Sequence, residues 1–190
     1  MNSHATAPVS AWVARFAPLA AQGEVLDLAC GSGRHARHFA ALGHPVLAVD
    51  RDAGALAVAA GQGITAMAFD LEDPALAWPF EAGRFAAIVV TNYLHRPLFA
   101  HLAASLRDDG VLIYETFALG NEAFGKPSNP AFLLAHGELL AEARANRLRP
   151  IAYEDGYVDS PKPAMVQRLF AAKQGFGWAS ARLDRGGAPI

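Results

Sequence analysis

The stretch Val25-Leu26-Asp27-Leu28-Ala29-Cys30-Gly31-Ser32-Gly33-Arg34 constrains the fold more than any other part of the chain. An apolar run with an acid in its middle breaks into a small-residue loop, and an amphipathic segment from Arg34 to Leu42 follows. A strand that ends in Gly-x-Gly and opens a helix is a nucleotide-cradling turn. Glycine has no Cβ, so the backbone bends sharply and approaches a ligand closely. The first turn of the helix adds amides without partners inside the helix, which point at whatever lies above. Asp27 is the unusual element, because it sets a buried carboxylate directly beneath the loop.

Apolar runs alternate with helix-period segments along nearly the whole chain. Ser10 to Leu19 reads as a leading helix, with Trp12, Phe16 and Leu19 on one face. Strands are expected at Glu24–Ala29, Val46–Asp50, Ile64–Phe69 and Phe85–Val90. Gly43 closes the first of the intervening helices, and Asp52 caps the second, which runs to about Ala60. The continuous apolar run of the fourth strand suits burial on both faces. Pro97 opens a helix carrying Leu98, Leu102 and Leu106, and Asp108-Asp109-Gly110 turns the chain into a fifth strand, Val111–Phe117. A polar loop from Ala118 to Asn129, a helix at Glu138–Ala145 and two strands near Pro150–Val158 and Met165–Ala172 complete the pattern. From Gln174 onward the Gly/Ala-rich tail reads as poorly ordered.

This order predicts an α/β, doubly wound, mostly parallel sheet with helices on both faces, whose ligand lies at the carboxyl ends of the strands. The 190 residues suit one domain. Within it, residues 1–22 form a helical extension, 23–117 a nucleotide-binding core, 118–173 the substrate side and 174–190 a flexible tail. A net charge of −2 leaves no electrostatic footprint for nucleic acid. One cysteine excludes an internal disulfide framework and fits a reducing compartment. No run reaches the roughly 18 apolar residues of a membrane span, and no secretory signal opens the chain, so a cytoplasmic location is expected.

These residues resemble the class I S-adenosylmethionine-dependent methyltransferases from about Ser10 to Lys173. The motif hydrophobic-Asp-hydrophobic-small-x-Gly-x-Gly stands as Leu26 to Gly33. An acid ends the second strand as Val49-Asp50 and another the third as Phe69-Asp70-Leu71, while Ile88-Val89-Val90 runs into Thr91-Asn92-Tyr93. The loop from Glu115 to Glu122 and the run Pro127-Ser128-Asn129-Pro130 are similar to a tellurite-resistance-type subfamily. The resemblance implies a Rossmann-like sheet of seven strands with the last antiparallel, and S-adenosylmethionine as methyl donor. It implies that Asp27 orients the loop and the methionine amino end, and that Gly31 and Gly33 admit the methionine and ribose. It further implies that Asp50 accepts from the ribose hydroxyls, that Asp70 and Leu71 border the adenine, and that Thr91, Asn92 and Tyr93 line the donor end. Ala29, Cys30, Ser32, Arg34 and Arg51 complete the expected cofactor contacts. Ala29 occupies a position where the family often has glycine, so the expectation is that it has no need of φ > 0.

Gly31-Ser32-Gly33-Arg34-His35-Ala36 also satisfies the dinucleotide fingerprint, with Asp50 nineteen positions beyond Gly31. Against a nicotinamide oxidoreductase stands Asp27, whose charge repels a pyrophosphate and favours a ligand bearing an ammonium group. A binding protein that retains the pocket without turnover is a further alternative. Methyl transfer needs a base only where the acceptor must lose a proton, and the candidates beyond the fourth strand are Tyr93 and His95. Tyr93 flanks substrate or packs. His95 acts as a base or bonds a neighbouring loop. Trp12 covers the pocket or belongs to the core, and Glu115 and Glu122 face substrate or solvent. His35 and His38 share a helix but lack a third ligand in the pattern, so no metal is expected. The acceptor is expected to be a small molecule.

Overall fold

A computed structural model describes residues 8–177 and 179 of the chain. Seven strands form one sheet in the order β3-β2-β1-β4-β5-β7-β6. They are β1 (Val25–Leu28), β2 (Val46–Asp50), β3 (Ile64–Ala68), β4 (Phe85–Thr91), β5 (Leu106–Phe117), β6 (Arg149–Val158) and β7 (Ala164–Ala172). The pairs among β1 to β5 are parallel, whereas β7 runs antiparallel to both β5 and β6. Only β7 is therefore reversed, as expected for the last strand.

Five helices cover the two faces: α1 (Ala11–Phe16), α2 (Arg34–Ala41), α3 (Ala53–Ala59), α4 (Phe99–Ser105) and α5 (Glu138–Ala145). The strand period of two divides the buried residues between the faces. Leu26, Ile88, Leu112 and Tyr114 pack against Leu102 of α4 and Leu139 of α5. Val25, Ala48, Val89, Ile113 and Phe170 pack against Trp12 and Phe16 of α1, Phe39 of α2 and Leu56 of α3. Trp12 is thus a core residue, and its indole donates to the Leu169 carbonyl at 3.2 Å. In β4 every residue from Phe85 to Val90 is buried, as its unbroken apolar run requires.

Four local features differ from the sequence pattern. Pro97 belongs to a 3-10 turn that ends at Leu98 before α4, and Leu106 starts β5 and does not belong to the helix. The leading helix is shorter: the Ser10 hydroxyl caps α1 by accepting from the Trp12 amide, and Ala17–Leu19 tightens into a 3-10 turn. Pro18 explains this, since it has no amide to continue an α-helix. The segment Asp108-Asp109-Gly110 is not a turn but part of β5. Phe85 pairs with Leu106 and Ala87 with Val111, so the four residues 107–110 of β5 bulge opposite the single Ala86 of β4. A Cβ on Gly110 would lie 3.0 Å from the Phe85 carbonyl, which is why the bulge closes on a glycine. Finally, the tail does not loosen at Gln174. The Gly175 amide donates to the Asp108 carbonyl at 2.8 Å, and buried Phe176 meets Phe170 edge to face at 6.2 Å. Most of the expected flexible tail lies outside the described residues.

Phe176→Ala should therefore lower stability by about 3 kcal/mol, as for other buried phenylalanines. A urea titration checks this, and a loss of a few tenths of a kcal/mol would show the docking to be incidental.

Candidate functional site

The loops that follow β1, β2 and β4 meet at the carboxyl edge of the parallel strands. Beyond Leu28 the backbone turns left-handed at alternate residues: Ala29 (φ 52°), Gly31 (φ 52°) and Gly33 (φ 74°). The expectation that Ala29 avoids positive φ is incorrect. An alanine there is strained by roughly 1–2 kcal/mol. Tertiary bonds hold the loop: the Cys30 amide donates to the Val49 carbonyl at 3.0 Å, and the Gly31 amide to Asp50 Oδ2 at 2.7 Å. The Ser32 carbonyl accepts from the Arg37 guanidinium at 2.7 Å, tying the loop to α2.

The two glycines have different reasons to be glycine. A Cβ on Gly31 would meet nothing within 4 Å, so its face is open on the ligand side. A Cβ on Gly33 would lie 2.6 Å from Ala59 Cβ and 2.9 Å from Ala59 Cα. Gly33 therefore serves the close packing of α2 on α3.

Asp27 is 1% exposed and accepts from the Ala36 amide at 2.8 Å, joining the central strand to the first turn of α2. Burial pushes its carboxyl up to about 7, against the opposing pull of the Ala36 amide and Arg34. Asp50 uses both oxygens on backbone, Oδ2 for Gly31 and Oδ1 for the Asp52 amide at 3.0 Å. Each oxygen keeps a second lone pair. A pyrophosphate needs loop amides as donors, yet the Gly31 amide is already held by a carboxylate. This geometry argues against a dinucleotide.

At the end of β4, Thr91 Oγ1 lies 3.3 Å from His35 Nδ1, and His35 Nε2 accepts from the Ser10 amide at 3.3 Å. Since Nε2 accepts, the proton of the neutral ring sits on Nδ1 and is donated to Thr91. Burial pulls the His35 pKa down to about 3, so the ring stays neutral. Asn92 is exposed in the left-handed region (φ 56°), with its amide on the Glu115 carbonyl. The Tyr93 carbonyl accepts from the Tyr114 hydroxyl at 2.9 Å. The Tyr93 hydroxyl itself is buried without a hydrogen bond of good geometry, although burial and the nearby Glu72 and Asp70 push its pKa up. Half-buried His95 follows, and among the described residues its ring makes no hydrogen bond, contrary to the loop-bonded alternative.

Asp70 Oδ1 accepts from the Glu72 amide at 2.9 Å, Leu71 packs on the adjoining core, and Arg51 is exposed. Arg34 reaches the Pro8 carbonyl at 3.3 Å, leaving its other donors available. Cys30 donates to the Gly31 carbonyl at 3.4 Å, and burial pushes its thiol up to about 12, which removes it as a nucleophile. Glu115 is buried in an ion pair with Arg168, which also reaches Glu154, and Glu122 accepts from the Gly120 amide. Neither acid is thus a bare carboxylate turned to substrate. Residues that the pattern did not single out fix the neighbouring loops. Arg96 pairs with Glu138 and binds the Ala131 and Leu133 carbonyls, while buried Asn121 clamps Pro127 and Met165. A buried strand tyrosine such as Tyr114 is the one sequence signal among them, because its hydroxyl must find a partner.

Residues 1–157 match the sequence profile of a methyltransferase domain. The chain belongs to that methyltransferase-domain family. No protein of curated function matches it. TehB from Haemophilus influenzae superposes with a TM-score of 0.71 at 17% identity, covering 87% of this chain and 63% of TehB. The chain thus spans less than two thirds of TehB. An S-adenosylmethionine-dependent methyltransferase from Mesorhizobium loti gives 0.68 at 17% identity, covering 86% and 96% of the two chains. Geranyl diphosphate C-methyltransferase from Streptomyces coelicolor gives 0.64 at 17%, covering 86% and 80%. The methyltransferase domain has the class I fold. Among its described residues no helix is long and apolar enough to cross a membrane, and no three metal-ligating side chains converge.

Substitutions should separate the two glycines of the domain. Gly33→Ala combines left-handed strain with overpacking and should cost about 2–4 kcal/mol in a thermal melt. Gly31→Ala should melt within about 1–2 kcal/mol of wild type and lose ligand binding. Equal melts would refute the distinction. Asp27 should also leave a pH signature. Its folded pKa, about 7, lies above its ordinary value of 3.8. Its contribution is therefore complete below about pH 4 and is lost as pH rises through 7, at up to roughly 1.4 kcal/mol per pH unit. Denaturation of wild type against Asp27→Asn should show that slope between pH 4 and 7 in wild type alone, and parallel curves would exclude it.

Proposed function

We propose that this methyltransferase domain binds S-adenosylmethionine over the Gly31 loop and methylates a small-molecule acceptor. The observation that carries the reading is the pair of carboxylates around the loop, Asp27 below and Asp50 on the Gly31 amide. They suit a cationic ligand with a free ammonium and a diol. One further feature fits that ligand, the open face of Gly31. Asp50 would accept the ribose hydroxyls on its remaining lone pairs, Asp27 would favour the ammonium, and Asp70 with Leu71 would border the adenine. Arg34 has donors to offer the carboxylate.

The bound sulfonium supplies the activated methyl. The protein's part is to hold donor and acceptor in line and to keep water out. Tyr93, whose pKa is raised by burial and by Glu72, is protonated at neutral pH and acts as a hydrogen-bond donor, not as a base. His95, two residues beyond Tyr93 and with a ring that bonds no described residue, would take the proton from an acceptor that must lose one. The loops after β4 and β5, braced by Asn121 and by the Arg96–Glu138 pair, form the acceptor side. The unpaired, buried Cys30 fits the reducing cytoplasm as the enzyme's location.

Calorimetric titration with S-adenosylhomocysteine and, separately, NADH tests this reading. S-adenosylhomocysteine should bind, NADH should not, and Asp50→Asn should weaken the former at least tenfold, since a charge-assisted bond contributes about 1.5–3 kcal/mol. Binding of NADH alone would reverse the assignment. Methyl transfer from labelled S-adenosylmethionine to a panel of small acceptors should then give turnover, and tight binding with none would indicate the binding protein without turnover.

A further inference from the structure

Helix α5 meets β6 at the edge of the sheet opposite the glycine loop, because β6 runs in the same direction as β1 to β5 and starts at Arg149. The Leu148 amide donates to the Ala143 carbonyl at 2.8 Å and the Arg147 amide to the Arg144 carbonyl at 3.1 Å. These two bonds form a Schellman cap, in which the residue after the cap takes positive φ and is usually glycine or asparagine. Here that residue is Arg147, at φ 58°, while Asn146 stands one position earlier at φ −95°. A glycine at 147 would relieve the strain and leave Arg144 and Arg149 beside the helix end. The strained arginine needs another reason.

Arg144, Arg147 and Arg149 line one open concavity of about 620 Å³ with Leu148, Pro150 and Gln174, and no described acid lines it. Arg84, Arg96, Arg107 and Arg168 each pair with a carboxylate. Arg144 and Arg147 enter no ion pair among the described residues. Leu148 and Pro150 give the concavity an apolar floor. The amides of Lys173 and Gly175, on the Gly110 and Asp108 carbonyls, hold Gln174 at its rim.

We propose that this concavity binds a phosphoryl group, carried by a small phosphate ester or by a nucleotide. Guanidinium forks match phosphate oxygens in pairs, and the apolar floor takes the organic part. The site stands apart from the glycine loop and does not depend on the function proposed for it.

Titration of the full chain with inorganic pyrophosphate and with ADP, at fixed physiological ionic strength, tests the proposal. Wild type and the exposed control Lys126→Ala should both bind saturably. Arg147→Gly should bind at least tenfold more weakly and yet melt roughly 2–4 °C higher, because it sheds backbone strain. Arg144→Gln should weaken binding without the gain in melting temperature. Tighter binding of ADP than of pyrophosphate identifies a nucleotide, and equal binding identifies a simple phosphate ester. Three results would overturn the proposal: no saturation in wild type, unchanged binding in Arg147→Gly, or displacement of ADP by S-adenosylhomocysteine.

Discussion

Asp27 lies in the central strand with almost no water around it, and its one hydrogen bond from backbone, the Ala36 amide, decides how the chain leaves β1. A carboxylate in such a place is disfavoured as an anion unless charge or donors compensate. The α2 amide supplies part of that compensation, and in doing so it fixes the start of the helix relative to the strand. The five residues between them must then turn in a short space, with left-handed backbone at Ala29, Gly31 and Gly33. Asp50 completes the arrangement from the neighbouring strand by taking the Gly31 amide. The crevice is thus shaped by two acids in adjacent strands, before any ligand enters.

Much of this was legible in the residues. The apolar runs give β1, β2, β4 and β5, and Asp50 stands at the end of β2 as read, because strand period and loop composition are local properties. Ala29 misleads since nothing local announces left-handed backbone at an alanine; the requirement comes from Asp50 and Val49 across the sheet. At Gly33 the motif suggests a ligand, and it gives no hint of the packing demand that Ala59 on the next helix also makes for glycine there. Asp108-Asp109-Gly110 has the composition of a turn, yet β4 on one side and the Lys173–Gly175 backbone on the other hold it as a bulged strand. In each case the deciding contact is distant in sequence.

The acceptor side was the least legible region, for the same reason. Arg96 and Glu138 are forty-two positions apart, and Asn121 and Met165 forty-four. These bonds fix the loops after β4 and β5, while Tyr114 pins the Tyr93 carbonyl from the strand beneath. The neutral His35 adds a brace on the other face, between Ser10 and Thr91. Polar groups at this rim are therefore mostly committed to shape. Asn92, Arg51 and His95 are exceptions, with no side-chain hydrogen bond to a described residue.

The reversed direction of β7 has a practical corollary. Because this strand descends between two ascending neighbours, Phe176 docks against the floor of the molecule, on the side turned away from the crevice. A reporter or surface tether attached at Gly177 would therefore start from the back of the protein, at the opposite end of the strands from Tyr93 and His95.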